Sequence, residues 1–283
     1  MRNMRKLLRS NFSRLIRENA FRAGILIMIG YAVCICCLLH YSMQLNNTVI
    51  SIDSAYISAY GFQGILAIPG LILAVICSLF TGTEYSDGTI RNKLISGHRR
   101  PDIYLSNFIA CAAVGILLNL FYMLMIFILG VPMFDGFQME SDTVLWVFAA
   151  GILAMISYAA LFTMVSMLSQ NKTAAAVINI LAVVIFMFVC SYLLALISQP
   201  EYYSAIENVN GQQVSTMVPN PHYLQEGPRK AAQFITDLLP SGQSLQLSSG
   251  SAVHLKLLPL FSGILICAVN FLGVLFFRKK NIK

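Results

Sequence analysis

Charge is what this sequence has least of. Only 11% of its 283 residues are Asp, Glu, Lys or Arg, against 57% hydrophobic, and a soluble domain of ordinary composition carries about 25%. Its catalytic vocabulary is equally thin. No His-Glu-x-x-His, no Gly-x-Ser-x-Gly and no paired cysteine–histidine spacing occurs, and the four histidines (His40, His98, His222, His254) are scattered along the chain. These absences argue against an intramembrane enzyme. No Gly-x-x-x-x-Gly-Lys phosphate loop is present, so the chain has no means of hydrolysing nucleotide itself. The seven cysteines all fall within apolar runs, which suggests small core hydrophobes rather than a disulfide framework.

Apolar length is what the sequence has most of. Crossing about 30 Å of hydrocarbon takes about 20 helical residues, and six runs qualify, at about 22–43, 58–80, 103–130, 143–168, 174–198 and 253–277. The expectation is one all-α membrane domain over 1–283 with six spans. As read, the span interiors hold no Asp, Glu, Lys or Arg, which disfavours an ion-coupled carrier, since such carriers place ionisable groups deep in the membrane. The first run follows a long basic helix and lacks a small-residue cleavage site, so it reads as a retained span.

The net charge of +7 is unevenly placed. With the N-terminus inside, the inner segments hold sixteen bases and the outer ones three, Arg229, Lys230 and Lys256. That asymmetry predicts cytoplasmic N- and C-termini and assigns the basic excess to topology and lipid contact, not to nucleic acid.

Three hydrophilic stretches punctuate the runs. Residues 1–21 contain an amphipathic helix, with Met4, Leu7, Leu8, Phe12, Leu15 and Ile16 on one side and mostly basic residues on the other, suited to the headgroup plane. Residues 81–103 read as a short helix between turns. Ser86, Asp87 and Gly88 supply its start, Ile90, Leu94 and Ile95 its apolar edge, Gly97 its stop, and Pro101 the first turn of the next span. Residues 199–252 form the largest outer segment, polar and turn-rich at first. A helix then opens at Pro228, with Phe234, Ile235, Leu238 and Leu239 on one face, and ends at Pro240. It rests on the outer leaflet or dips between the last two spans. In the second run, Pro69-Gly70 predicts a mid-span kink.

The stretch Gly82-Thr83-Glu84-Tyr85-Ser86-Asp87-Gly88-Thr89-Ile90-Arg91-Asn92-Lys93-Leu94, after the second of six spans, resembles the cytoplasmic segment of type-2 ABC exporter permeases. The nearest resemblance is to the bacterial group associated with export of, or immunity to, peptide antibiotics. Ser169-Gln-Asn-Lys-Thr and Leu239-Pro-Ser-Gly-Gln add weaker likenesses. The resemblance implies two permeases, identical or paralogous, and two cytoplasmic ABC ATPases that bind the ATP and magnesium, none being held by this chain. It implies a multi-pass protein of the bacterial cell membrane, an elbow helix at the N-terminus and a coupling helix within 81–103. The coupling residues it implies are Glu84, Tyr85, Asp87, Gly88, Thr89, Ile90, Arg91, Lys93 and Leu94. Cargo in the family ranges from peptides to lipids and drug-like molecules. A subunit of another class, a sensor or scaffold that tethers an ATPase without transporting, is the alternative reading.

Glu84 raises its own question. Read as lying just past the second span, it sits near carbonyls that carry partial negative charge, an unfavourable place for a carboxylate without a cation. Arg14, Arg17 and Arg22 are the pairing candidates; a solvated interfacial acid is the alternative.

Overall fold

A computed structural model of the chain describes residues 2–209 and 212–281; the tail base Lys283 lies outside the described residues. The chain opens with α1 (Arg2–Arg17) and α2 (Asn19–Asn46). A short α3 (Ile52–Ile57), α4 (Ile68–Ser86), the seven-residue α5 (Thr89–Ile95) and α6 (Arg100–Met133) follow. Next come α7 (Ser141–Ser169), α8 (Lys172–Ile197), strands β1 (Tyr202–Val209) and β2 (Gln212–Pro219), α9 (Glu226–Leu238), α10 (Pro240–Ser249) and α11 (Leu258–Lys279). Six of the described helices (α2, α4, α6, α7, α8 and α11) are long and apolar enough to cross a membrane, and the chain is a multi-pass membrane protein. Burial ranks them. About half or more of the most apolar stretch of α4 and α7 is inside the protein, against less than a quarter for α8 and α11. The core therefore runs along α4, α6 and α7, where Phe80, Tyr122, Tyr158 and Phe162 are fully enclosed. The 34 residues of α6 amount to about 51 Å, longer than a bilayer core, so the helix extends well past one span and offers a wall on which α1 packs.

The structure departs from expectation around the second span and within residues 199–252. The second span does not start near 58 or kink at Pro69. It begins at Ile68 with Pro69 in its first turn, where the missing N–H costs nothing. Ahead of it, Gln63 and Gly64 both take positive φ (46° and 68°) and break the apolar run into turns. The same helix continues to Ser86, so Glu84 lies inside it and Ser86 closes α4 instead of opening α5. The all-α expectation also yields to a two-stranded antiparallel hairpin, which pairs Tyr202 with Pro219 through to Val209 with Gln212. The sequence between these strands is Asn210-Gly211, the dipeptide favoured in two-residue hairpins.

The helix expected from Pro228 starts two residues earlier, at Glu226, as α9. Phe234 and Ile235 are exposed, whereas Ala232, Gln233, Thr236 and Asp237 are buried. Such a helix has its apolar side toward the surroundings and its polar side toward the protein, as suits a helix bathed in lipid. Pro240 ends α9 but also opens α10, which is enclosed along its length from Pro240 to Ser248. Of the seven cysteines, Cys34, Cys37 and Cys267 sit on outward faces of their helices rather than in the core.

Candidate functional site

The end of α4 gathers the chemistry-bearing residues. Gly82 lets the start of α8 come close, since a Cβ added there would stand 2.5 Å from the Lys172 Cα. One turn on, Gly88 adopts φ of 66° and redirects the chain into α5, and Gly97 at 83° ends α5. Pro101 then occupies the first turn of α6. Two left-handed glycines thus fold α5 back against the helix it follows, with Ile90 buried and Leu94 half-buried against Leu7, Ile103, Tyr104, Met167 and Phe277.

Glu84 lies at the centre of this junction and is fully buried. Its Oε1 accepts from Arg14 Nη1 of α1 at 2.8 Å and also from the Lys93 ammonium of α5. Its Oε2 accepts from Asn107 Nδ2 of α6 at 2.7 Å. Asn11 closes the ring, donating to Asn107 Oδ1 at 2.8 Å while its own Oδ1 accepts from Lys93 at 3.0 Å. Arg14 further donates to the Phe80 carbonyl at 3.0 Å and lies 4.0 Å from the Phe80 ring centroid. Two cations therefore neutralise one carboxylate together with the carbonyl end of α4, which answers the electrostatic objection to an acid at that position. Burial pushes the Lys93 ammonium below the usual lysine range; Glu84 acts against that shift and Arg14 adds to it.

The sequence-predicted residues separate into two groups. Glu84, Ile90, Lys93 and Leu94 face inward, and Tyr85 joins them by donating its hydroxyl to the Met167 carbonyl of α7 at 2.6 Å. Thr89 donates to the Glu84 carbonyl at 2.9 Å, holding the turn around Gly88. Asp87 and Arg91 face outward, together with Asn92 and Ile95, the last 78% exposed. The apolar edge expected at Ile90 and Leu94 is consequently occupied by the protein's own helices. Of the three pairing candidates, only Arg14 reaches Glu84. Arg22 donates to the Ile16 carbonyl at 3.1 Å and Arg17 is exposed.

Sequence reasoning missed Asn11, Asn107 and the inward role of Lys93. Asn11 had left a signal, because it interrupts the stripe Leu7–Asn11–Leu15 that packs against α6. Arg100 was missed too. Its Nη1 donates to the carbonyls of Phe277, Arg278 and Lys280 at 3.3, 2.9 and 2.6 Å, capping the end of α11 and binding it to the start of α6.

At the opposite end of the bundle stands a second buried acid. Asp237, 1% exposed, accepts from Gln233 Nε2 at 2.7 Å and Gln246 Nε2 at 3.0 Å through Oδ1, and pairs with His254 Nδ1 at 2.8 Å through Oδ2. Gln243 donates to the Asp237 carbonyl and accepts from Ser262 at 2.7 Å, so α9, α10 and α11 share one polar network.

A protein-family profile described as "ABC-2 family transporter protein" matches residues 39–242, well over half of the chain. No curated protein matches it.

Proposed function

We propose, from the premise that the chain belongs to the ABC-2 family of transporter proteins, that it is the permease of an ATP-driven exporter in a bacterial cell membrane. A separate cytoplasmic ABC ATPase supplies the energy, the permease functions with a second copy or a paralogue, and the cargo is a peptide, lipid or drug-like molecule. Antimicrobial-peptide export or immunity is the setting that the sequence of 81–103 favours. Both termini lie on the cytoplasmic side in this reading, supported by the basic residues of α1, α5 and the inner turns.

The observation that carries the proposal is the Glu84 junction. An ATPase that moves α5 needs a stiff connection to the spans. The Lys93–Glu84–Arg14 cluster joins α5 to α4 and to α1, while Asn107 and Tyr85 bring in α6 and α7. Displacing α5 therefore shifts the ends of several helices together, with α1 as the elbow and α5 as the coupling helix. The surface offered to the ATPase is the outward one, Asp87, Arg91, Asn92 and Ile95.

Co-purification with the ATPase tests this. Ile95→Asp combined with Arg91→Glu is expected to lower the ATPase recovered by about tenfold, comparable to losing one interface anchor, while the permease still inserts. Full recovery of the ATPase would remove α5 as its docking element. ATPase that binds normally but supports no export in vesicles would favour the tethering scaffold instead.

A further inference from the structure

The cavity beside the Asp237 network lies outside everything assigned to ATP coupling. It opens between α9 and the start of α11, with a volume of about 410 Å³, within the range of about 300–1,000 Å³ typical of small-molecule sites. Its walls are mainly apolar, from Phe234, Val253, Leu257 and Phe261. Arg229 and Lys230 of α9 and His254 also line it.

The charge exposed along its lining is basic. Asp237 also borders the cavity, but its carboxylate is buried and already accepts from Gln233, Gln246 and His254, so its negative charge is satisfied within the protein. Among the described residues Lys230 pairs only with Glu226, at 3.4 Å and with both side chains largely exposed, a contact that leaves the ammonium able to pair elsewhere. Arg229 is stacked 5.4 Å from the Tyr223 ring centroid, an arrangement that orients the guanidinium without using its N–H edge. The neighbouring side of α9 exposes Phe234 and Ile235, so the cavity mouth opens where the helix meets an apolar medium.

We propose that this cavity is a binding site for one membrane lipid with an anionic headgroup. The acyl chain lies against Phe234, Leu257 and Phe261, and the phosphate is paired by Arg229 and Lys230. Membrane lipid is the only occupant combining a long apolar tail and a fixed negative charge that the medium around α9 itself delivers. Its bound headgroup would rest against His254, and so against the Asp237 network that links α9, α10 and α11. The inference requires the chain to be membrane-embedded but does not depend on an ATPase partner.

The test uses the purified full chain in phosphatidylcholine vesicles, with Trp146→Phe removing the sole native tryptophan and Phe234→Trp placing a reporter at the cavity. Phosphatidylglycerol with brominated chains is expected to quench that reporter at about fivefold lower mole fraction than brominated phosphatidylcholine. Arg229→Gln with Lys230→Gln should abolish the preference, whereas Arg229→Lys with Lys230→Arg should keep it. A tryptophan at the outward-facing Phe271 should show no preference. Soluble glycerol phosphate should leave the quenching unchanged, because it lacks the chain. Equal quenching by the two lipids, a preference that survives removal of both charges, or displacement by glycerol phosphate would overturn the proposal. So would absence of quenching by either lipid, which would mean that a second copy or another protein covers the cavity.

Discussion

Three carboxylates are buried among the described residues; Asp53 accepts from the Ser51 hydroxyl and the Gln138 and Met139 backbone N–H groups, while Glu84 and Asp237, near opposite ends of the bundle, are stabilised by different means. Glu84 is held by full charges that arrive from far along the chain, Arg14 seventy positions before it and Lys93 beyond a glycine turn. Asp237 is held by neutral amides and a histidine, all within seventeen positions of it. The first arrangement fastens separate elements together, and losing any member leaves a charge stranded. The second stitches a local fold of α9, α10 and the start of α11, and losing a member leaves a polar atom short of one partner. A junction that transmits force, as proposed for Glu84, needs the first kind of bond; a compact local cap is adequately served by the second.

That contrast can be broken experimentally. Glu84→Gln preserves shape but leaves two cations crowded in a poorly solvated junction, and the expected destabilisation is the largest, about 3–5 kcal/mol. Asp237→Asn keeps one oxygen to accept from Gln233 and Gln246 and turns the other acceptor into an N–H donor, which His254 can answer with the tautomer whose Nδ1 accepts, so about 1–2 kcal/mol is expected. Thermal unfolding in detergent measures both. Equal losses would mean that the two acids are equivalent and that the inner one is no special fastening. The smallest effect on stability, essentially none, is expected for cysteines placed at the exposed Ser215 and Ser96 in a chain lacking its native cysteines. Their labelling sharpens the comparison by assigning each acid to its side. A membrane-impermeant thiol reagent on intact cells should modify the residue at 215 and spare the one at 96; the reverse would put Glu84 outside and remove its access to any cytoplasmic ATPase.

Hydropathy located all six spans because lipid-crossing helices need nothing else to be recognised. It misplaced the start of the second because residues 58–67 carry no charge and run straight into the apolar stretch that follows, and composition does not distinguish a buried turn from a helix. Only the positive φ at Gln63 and Gly64, a tertiary outcome, separates them. The apolar face of α9 is legible from helical spacing, and the exposure of Phe234 and Ile235 suits the expected place against lipid; the enclosure of Gln233 and Asp237 is not legible, because their partners come from α10 and the segment before α11. At the inner site, the acid and a set of three arginines were identifiable from the end of α4 and the basic stripe of α1. Which arginine reaches Glu84 depends on the register of α1 against α6, fixed by Leu7, Asn11 and Leu15, and no local pattern encodes that. The inward direction of Lys93 is not legible in the sequence, because a helix of seven residues has little periodicity to orient it. The fold of α5 back onto α4 turns it toward Glu84 and Asn11.

The central claim is that Glu84 binds the N-terminal helix to the end of α4 as one unit. A double-mutant cycle measures that directly: equilibrium unfolding of Arg14→Gln, Glu84→Gln and the double variant, each beside the parent chain. The account predicts a coupling of about 2 kcal/mol, with the double variant well short of the sum of the single losses. Losses that add to within about 0.5 kcal/mol would contradict it, because the two residues would then act independently.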